Sequence, residues 1–172
     1  LAHSYKQALM YIPLTYMDMH QYFVAAENGH TAMITMLVDA GANPNTPNAH
    51  GDTPLHVAAF RGDEAMVRAL THVNAEINAT NSNGKTAAFI AAEKGHDAVL
   101  VALHEAFANL DQPDEDGNRL AHAAAENGHA HVIRILPALN AGLSWKNNCH
   151  ETPAWKAATN GRVHILEILY EL

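Results

Sequence analysis

Thirteen histidines and a single cysteine, Cys149, are the residues of this 172-residue chain with the readiest chemistry. A metal site needs three or four convergent His, Cys or carboxylate ligands. The sequence has no H-E-x-x-H run, and His129 and His131, two apart on a helical stretch, face different directions. A thiol nucleophile needs a base within reach of its sulfur and a third group that orients the base. Cys149 and His150 are adjacent on a turn tip, where a base is poorly placed to reach the sulfur, and nothing nearby offers an orienting carboxylate in a defined pocket. Glycine-rich phosphate loops, a serine elbow and paired-carboxylate motifs are missing too. No catalytic residue, cofactor or metal is assigned, and the chain reads as a non-enzyme.

Charge narrows the partners. A formal net charge of −8 with only 10 Lys and Arg gives no electrostatic reason to approach nucleic acid or an anionic membrane surface. The chain lacks the unbroken apolar run of about 18 residues that a membrane span requires. Leu1-Ala2-His3-Ser4 has no signal-peptide character. One cysteine forms no internal disulfide, which fits a reducing compartment, cytoplasmic or nuclear. The start without Met and the apolar side of Val163 to Leu169, still open at Leu172, predict that the natural protein continues.

The elements that carry these residues follow from an internal repeat. Ala25-Ala26, Ala58-Ala59, Ala91-Ala92, Ala124-Ala125 and Ala157-Ala158 recur every 33 residues, and Gly29, Gly62, Gly95, Gly128 and Gly161 keep the same step. Such a period predicts a stack of small units, each packed mainly on its neighbours. The units are expected at 15–47, 48–80, 81–113, 114–146 and 147–172, the last incomplete. In residues 1–14, Tyr5, Leu9 and Ile12 cover one helical side up to Pro13; this is either an N-terminal capping segment or a degenerate half-repeat.

Residues 48–80 show how one unit is built. Asn48 to Asp52 is a turn cluster around Gly51. Thr53 caps a helix and Pro54 sits in its first turn, where a missing N–H costs nothing. Leu55, Val57, Ala58 and Ala59 form the buried side, the alanines letting the next unit approach closely. Gly62 closes this helix, and Asp63-Glu64 open a second whose apolar stripe is Met66, Val67 and Leu70. The polar remainder, residues 74–79, projects as a finger.

Thr53-Pro54-Leu55-His56-Val57-Ala58 and the period of 33 resemble the ankyrin repeat. Gly41-Ala42-Asn43-Pro44-Asn45 and the Gly-His corners at His30, His96 and His129 resemble it as well. The resemblance covers residues 15–172 and implies an all-α solenoid of stacked helix-turn-helix units with β-hairpin-like finger loops. It also implies structural roles for these histidines and for His56 and His122. Other units drift: Phe89 and Trp155 replace the signature His, and Arg119 replaces the capping Thr. Pro137 falls inside a second helix and predicts a kink or shortening near 136–140.

Ankyrin-like stacks bind proteins through finger tips and first helices, the concave side, so the resemblance implies a protein-interaction module that acts as a monomer. On the expected row of tips, which has no packing duty and so leaves its side chains free to vary, Met17 and Met19, with Phe60 on a first helix, form an apolar zone; the two methionines either contact a partner or cover the N-terminal segment. Arg61, Lys85 and Trp145 are further candidates, although Trp145 could instead pack between fingers. Asp114, Glu115 and Asp116, with Asp111, Glu93 and Glu126 nearby, form an acidic zone that either steers a basic partner segment or serves solubility. Leu70 followed by Glu76-Ile77-Asn78 is similar to finger sequences that asparaginyl hydroxylases modify. Asn78 is then either an acceptor or only a hydrogen-bonded finger residue. The alternative function is a targeting or substrate-recruiting region of a larger enzyme or of a bacterial effector in a host cytosol, with catalysis outside this chain; a structural spacer is the third.

Overall fold

The structure, a computed structural model, describes residues 21–26 and 28–172. The segment 1–14 and the candidate contacts Met17 and Met19 lie outside the described residues. Helix α1 covers residues 21–26 and is followed by α2 (Thr31–Asp39). Then come α3 (Pro54–Arg61) and α4 (Glu64–His72), α5 (Ala87–Lys94) and α6 (Asp97–Glu105), α7 (Leu120–Asn127) and α8 (Ala130–Ile135), and α9 (Pro153–Thr159) and α10 (Val163–Glu171). Among the described residues the only β feature is an isolated antiparallel bridge, Thr80 to Thr86, at the root of one finger. The fold is the all-α stack that the period predicts.

The first helices α3, α5, α7 and α9 pack on one another in chain order, and so do the second helices α2, α4, α6, α8 and α10. Small residues make the first row possible. Ala25, Ala26, Ala58, Ala59, Ala91, Ala92, Ala124 and Ala125 are fully buried between helices. Ala158, the same position on α9, is exposed because no described element covers it. The second row supplies bulk: Leu37, then Met66 and Leu70, Leu100 and Leu103, Ile133 and Leu136, and Ile165 join one continuous core. Burying each such side chain contributes about 1.5–3 kcal/mol.

Helix starts divide into two kinds. Thr86 and Thr152 accept the amides of Phe89 (3.1 Å) and Trp155 (3.2 Å), the expected cap. Thr53 caps its own helix within a capping box. Its amide and hydroxyl both approach His56 Nδ1, at 3.0 and 2.8 Å, so the imidazole takes the place of the third-residue side chain in a capping box. His122 does the same for Arg119, accepting its amide at 3.1 Å, and this explains how α7 begins without a capping hydroxyl. Val57, expected on the buried side, is only half-buried and faces the groove described below.

Helix ends need glycine for two reasons at once. Gly62 and Gly95 take left-handed conformations (φ 73° and 80°). A Cβ at either would also lie 2.7 or 2.6 Å from the imidazole of the next unit, His96 or His129. Pro137 acts as predicted: α8 stops at Ile135 and a 3-10 turn, Leu136–Leu139, carries the chain to Asn140 in a left-handed conformation. Leu136 and Leu139 stay buried, so the shortened helix still fills the core.

Candidate functional site

Three sets of hydrogen bonds join successive units and a fourth braces each finger turn, and together they fix the fingers relative to the first helices. At the finger base, Asn45 Oδ1 accepts the amide of Glu76 (2.7 Å), Asn78 Oδ1 that of Asn109 (2.8 Å) and Asp111 Oδ1 that of Gly142 (3.1 Å). Asn48, Asn81, Asp114 and Asn147 each accept two amides of their own turn. At the tips, Ser82 N–H donates to His50 C=O (3.1 Å) and Asn148 N–H to Asp116 C=O (2.9 Å). Behind the first helices, His96 Nε2 donates to Phe60 C=O (3.2 Å), His129 Nε2 to Glu93 C=O (2.8 Å) and Arg162 Nε to Glu126 C=O (3.1 Å).

The tips therefore do carry a packing duty, contrary to the expectation from sequence. Their backbones pair, and a Cβ at Gly51, Gly84 or Gly117 would meet the next tip at 2.9 Å or less. What remains free is side chains. Among the expected acidic residues, Asp111 holds the next finger and Asp114 holds its own turn. Glu93 is paired with Lys85 at 2.8 Å. Glu115 and Asp116 are exposed and, with Glu126, make no ion pair among the described residues. The acidic zone is thus smaller than the sequence suggests.

Two grooves run between tips and first helices. The first, about 460 Å³, has Val57, Phe60 and Ile90 as apolar lining and Asn28, Asp52, His56 and Arg61 as polar lining. The second, about 470 Å³, is polar: Asp116, Glu126, Lys156 and Arg162 line it together with the Lys85–Glu93 pair. Phe60 is 56 % exposed, with Lys94 Nζ 4.7 Å from the ring centre. Trp145 is half-exposed, stacked under the Arg119 guanidinium at 4.4 Å and against the backbone of Gly142, so it is anchored to the fourth finger while keeping one side open. Asn78 is exposed; its ladder bond is the role the geometry gives it.

The two buried histidines are satisfied in one protonation state. His56 Nδ1 accepts from Thr53, so the proton sits on Nε2, which donates to Lys85 C=O at 3.0 Å. His122 repeats this with Arg119 and Glu151 C=O. Burial holds both imidazoles below the ordinary histidine value, against the opposing pull of those carbonyls. Glu151 is held below the usual carboxylate range by the amide of Asn147 and then by Lys156.

Neither the histidines nor Cys149 converge on a reactive centre. Cys149 is exposed on the last tip, and among the described residues no group of three His, Cys, Asp or Glu could hold a metal ion. No helix among them is long and apolar enough to cross a membrane. Sequence reasoning missed Phe107, which is 92 % exposed with φ 64°, beside a groove of about 310 Å³ on the second-helix side. Its place in the repeat, the one that Gly41, Asn74 and Asn140 hold, was the available signal.

A family model described as ankyrin repeats matches three times, over residues 22–114, 58–143 and 89–172. No curated protein matches the chain.

Proposed function

The chain belongs to the ankyrin repeat family, whose members are generally protein-interaction modules, and from that premise we propose that it binds a partner protein through the face formed by finger tips and first helices. One observation carries this reading. The ladders tie up much of the backbone of that face and the Nε2 atoms of His56, His96, His122 and His129, yet leave Phe60, Arg61, Glu115 and Asp116 projecting from a fixed frame, with one side of Trp145 open. Side chains held on rigid elements without a structural task are where recognition resides. Lys85 takes part through its pair with Glu93, which a partner would have to open or extend.

Affinity purification from native extract tests this. Partner recovery is expected to drop when Phe60→Glu, Glu115→Lys and Asp116→Lys are introduced singly, with the helical signal unchanged. Asp114 is left out because its carboxylate builds the turn. Equal recovery from all three variants would contradict the assignment of this face. Asn78 is carried as a candidate for hydroxylation, and an added oxygen on its tryptic peptide from native protein is the expected mass signature.

A further inference from the structure

Resting on that reading, we propose that the groove around Phe60 accepts a partner segment in which a large apolar side chain stands next to carboxylates. Phe60 occupies the repeat position that holds Glu93 and Glu126 in later units, so an aromatic ring replaces an acid at one place on this face. With Val57 half-buried beside it and Ile90 below, it makes an apolar recess. A side chain seated there leaves water with little loss of polar contact.

The charges around the recess set the rest of the partner. Arg61 is exposed, and Lys94 lies over the ring. Among the described residues neither has a carboxylate within ion-pair distance, which is also true of Arg119, Lys146 and Arg162. Asp52, the carboxylate among the described residues that line the groove, accepts a hydrogen bond from Asn81 Nδ2 at 2.8 Å. In a chain of net charge −8, this is a local inversion: two cations with no ion pair among the described residues flank an apolar recess. A basic segment meets like charge there, and an acidic one meets complementary charge at the rim of a desolvated contact.

The test displays short random peptides against the whole 172-residue chain. Selected peptides are expected to pair Asp or Glu with an adjacent Leu, Ile, Met or Phe. Phe60→Glu, a residue type that neighbouring units carry at this place, should weaken them about tenfold. The double reversal Arg61→Glu with Lys94→Glu should weaken them by a similar factor and turn selection toward Lys- and Arg-containing peptides. Binders that ignore these changes but are lost with Asp116→Lys or Glu126→Lys would overturn this inference and leave the general reading standing. Binders indifferent to every change on the face would overturn both. A library that returns no binder overturns the inference alone, because the purification above tests the general reading separately.

Discussion

The imidazole of His56 joins two units: its Nε2 donates to the carbonyl of Lys85, 29 residues ahead, while its Nδ1 accepts the amide that begins its own helix. His122 and Glu151 repeat the arrangement at the same separation. The Nδ1 bond requires a neutral ring, whereas the Nε2 bond to a carbonyl is kept in either state. A proton on Nδ1 would face a donor, and burial already lowers the affinity of both rings for it.

Stability should therefore depend on pH in a defined direction. The folded chain binds protons at these two sites less readily than the unfolded chain, whose histidines titrate near the ordinary value of 6.5. The stabilisation is complete above that value and declines as pH falls from it toward the lowered folded values. Urea midpoints between pH 8 and 5 should fall on acidification (roughly the span over which histidine charges). The slope should be shallower in the double variant His56→Phe, His122→Phe, which places at both sites the residue type that Phe89 supplies at the same place in the third unit. An unchanged slope would remove these rings as its source.

The finger ladder predicts a graded pair of substitutions at Asn78. Asn78→Ala leaves the amide of Asn109 without its acceptor and should cost about 1 kcal/mol. Asn78→Asp keeps an acceptor oxygen, as Asp111 does one unit later, and should cost clearly less. Chemical denaturation of the two variants side by side decides it, and equal losses would contradict the ladder.

Gly62→Ala and Gly161→Ala separate backbone strain from inter-unit packing. Both positions are left-handed, at φ 73° and 65°, so each should lose about 1 kcal/mol from conformation alone. Only Gly62 faces a neighbour, with a Cβ 2.7 Å from His96 Nδ1, whereas Gly161 has open space. Gly62→Ala should be the more harmful by about another 1 kcal/mol or more, as expected for overpacking. Calorimetric midpoints that match would contradict close stacking at this corner.

Phe107→Asn should stabilise the protein. The ring is almost fully exposed and contributes little burial, while a bulky residue at φ 64° is strained. Asn tolerates this region and stands there in two other units, Asn74 and Asn140. A gain of about 0.5–1 kcal/mol in the denaturation free energy is expected.

The stack itself was legible because its causes are periodic. Alanine pairs mark where helices approach, left-handed glycines mark where they end, and Pro137 marks where one is cut short. The face was less legible, since a carboxylate's type does not say which way it points. Asp111, Asp114 and Glu93 read as one charged zone, yet two serve backbone amides and the third pairs with Lys85. The signal lay in phase: Asp111 follows Asn45 and Asn78, and Asp114 follows Asn48 and Asn81, at the repeat spacing, so residues that share an acceptor share a task. Phe60 stood out for the opposite reason, as an aromatic in phase with three glutamates, Glu27, Glu93 and Glu126.

Site-specific photocrosslinking tests the central claim most directly. A photoreactive side chain is placed in turn at Phe60, Asp116 and Glu126 on the tip and first-helix face, and at Met33, Glu105 and Glu171 on the second helices. The account predicts that a recovered partner protein crosslinks from the first three positions and not from the last three. Crosslinking confined to Met33, Glu105 or Glu171 would contradict it.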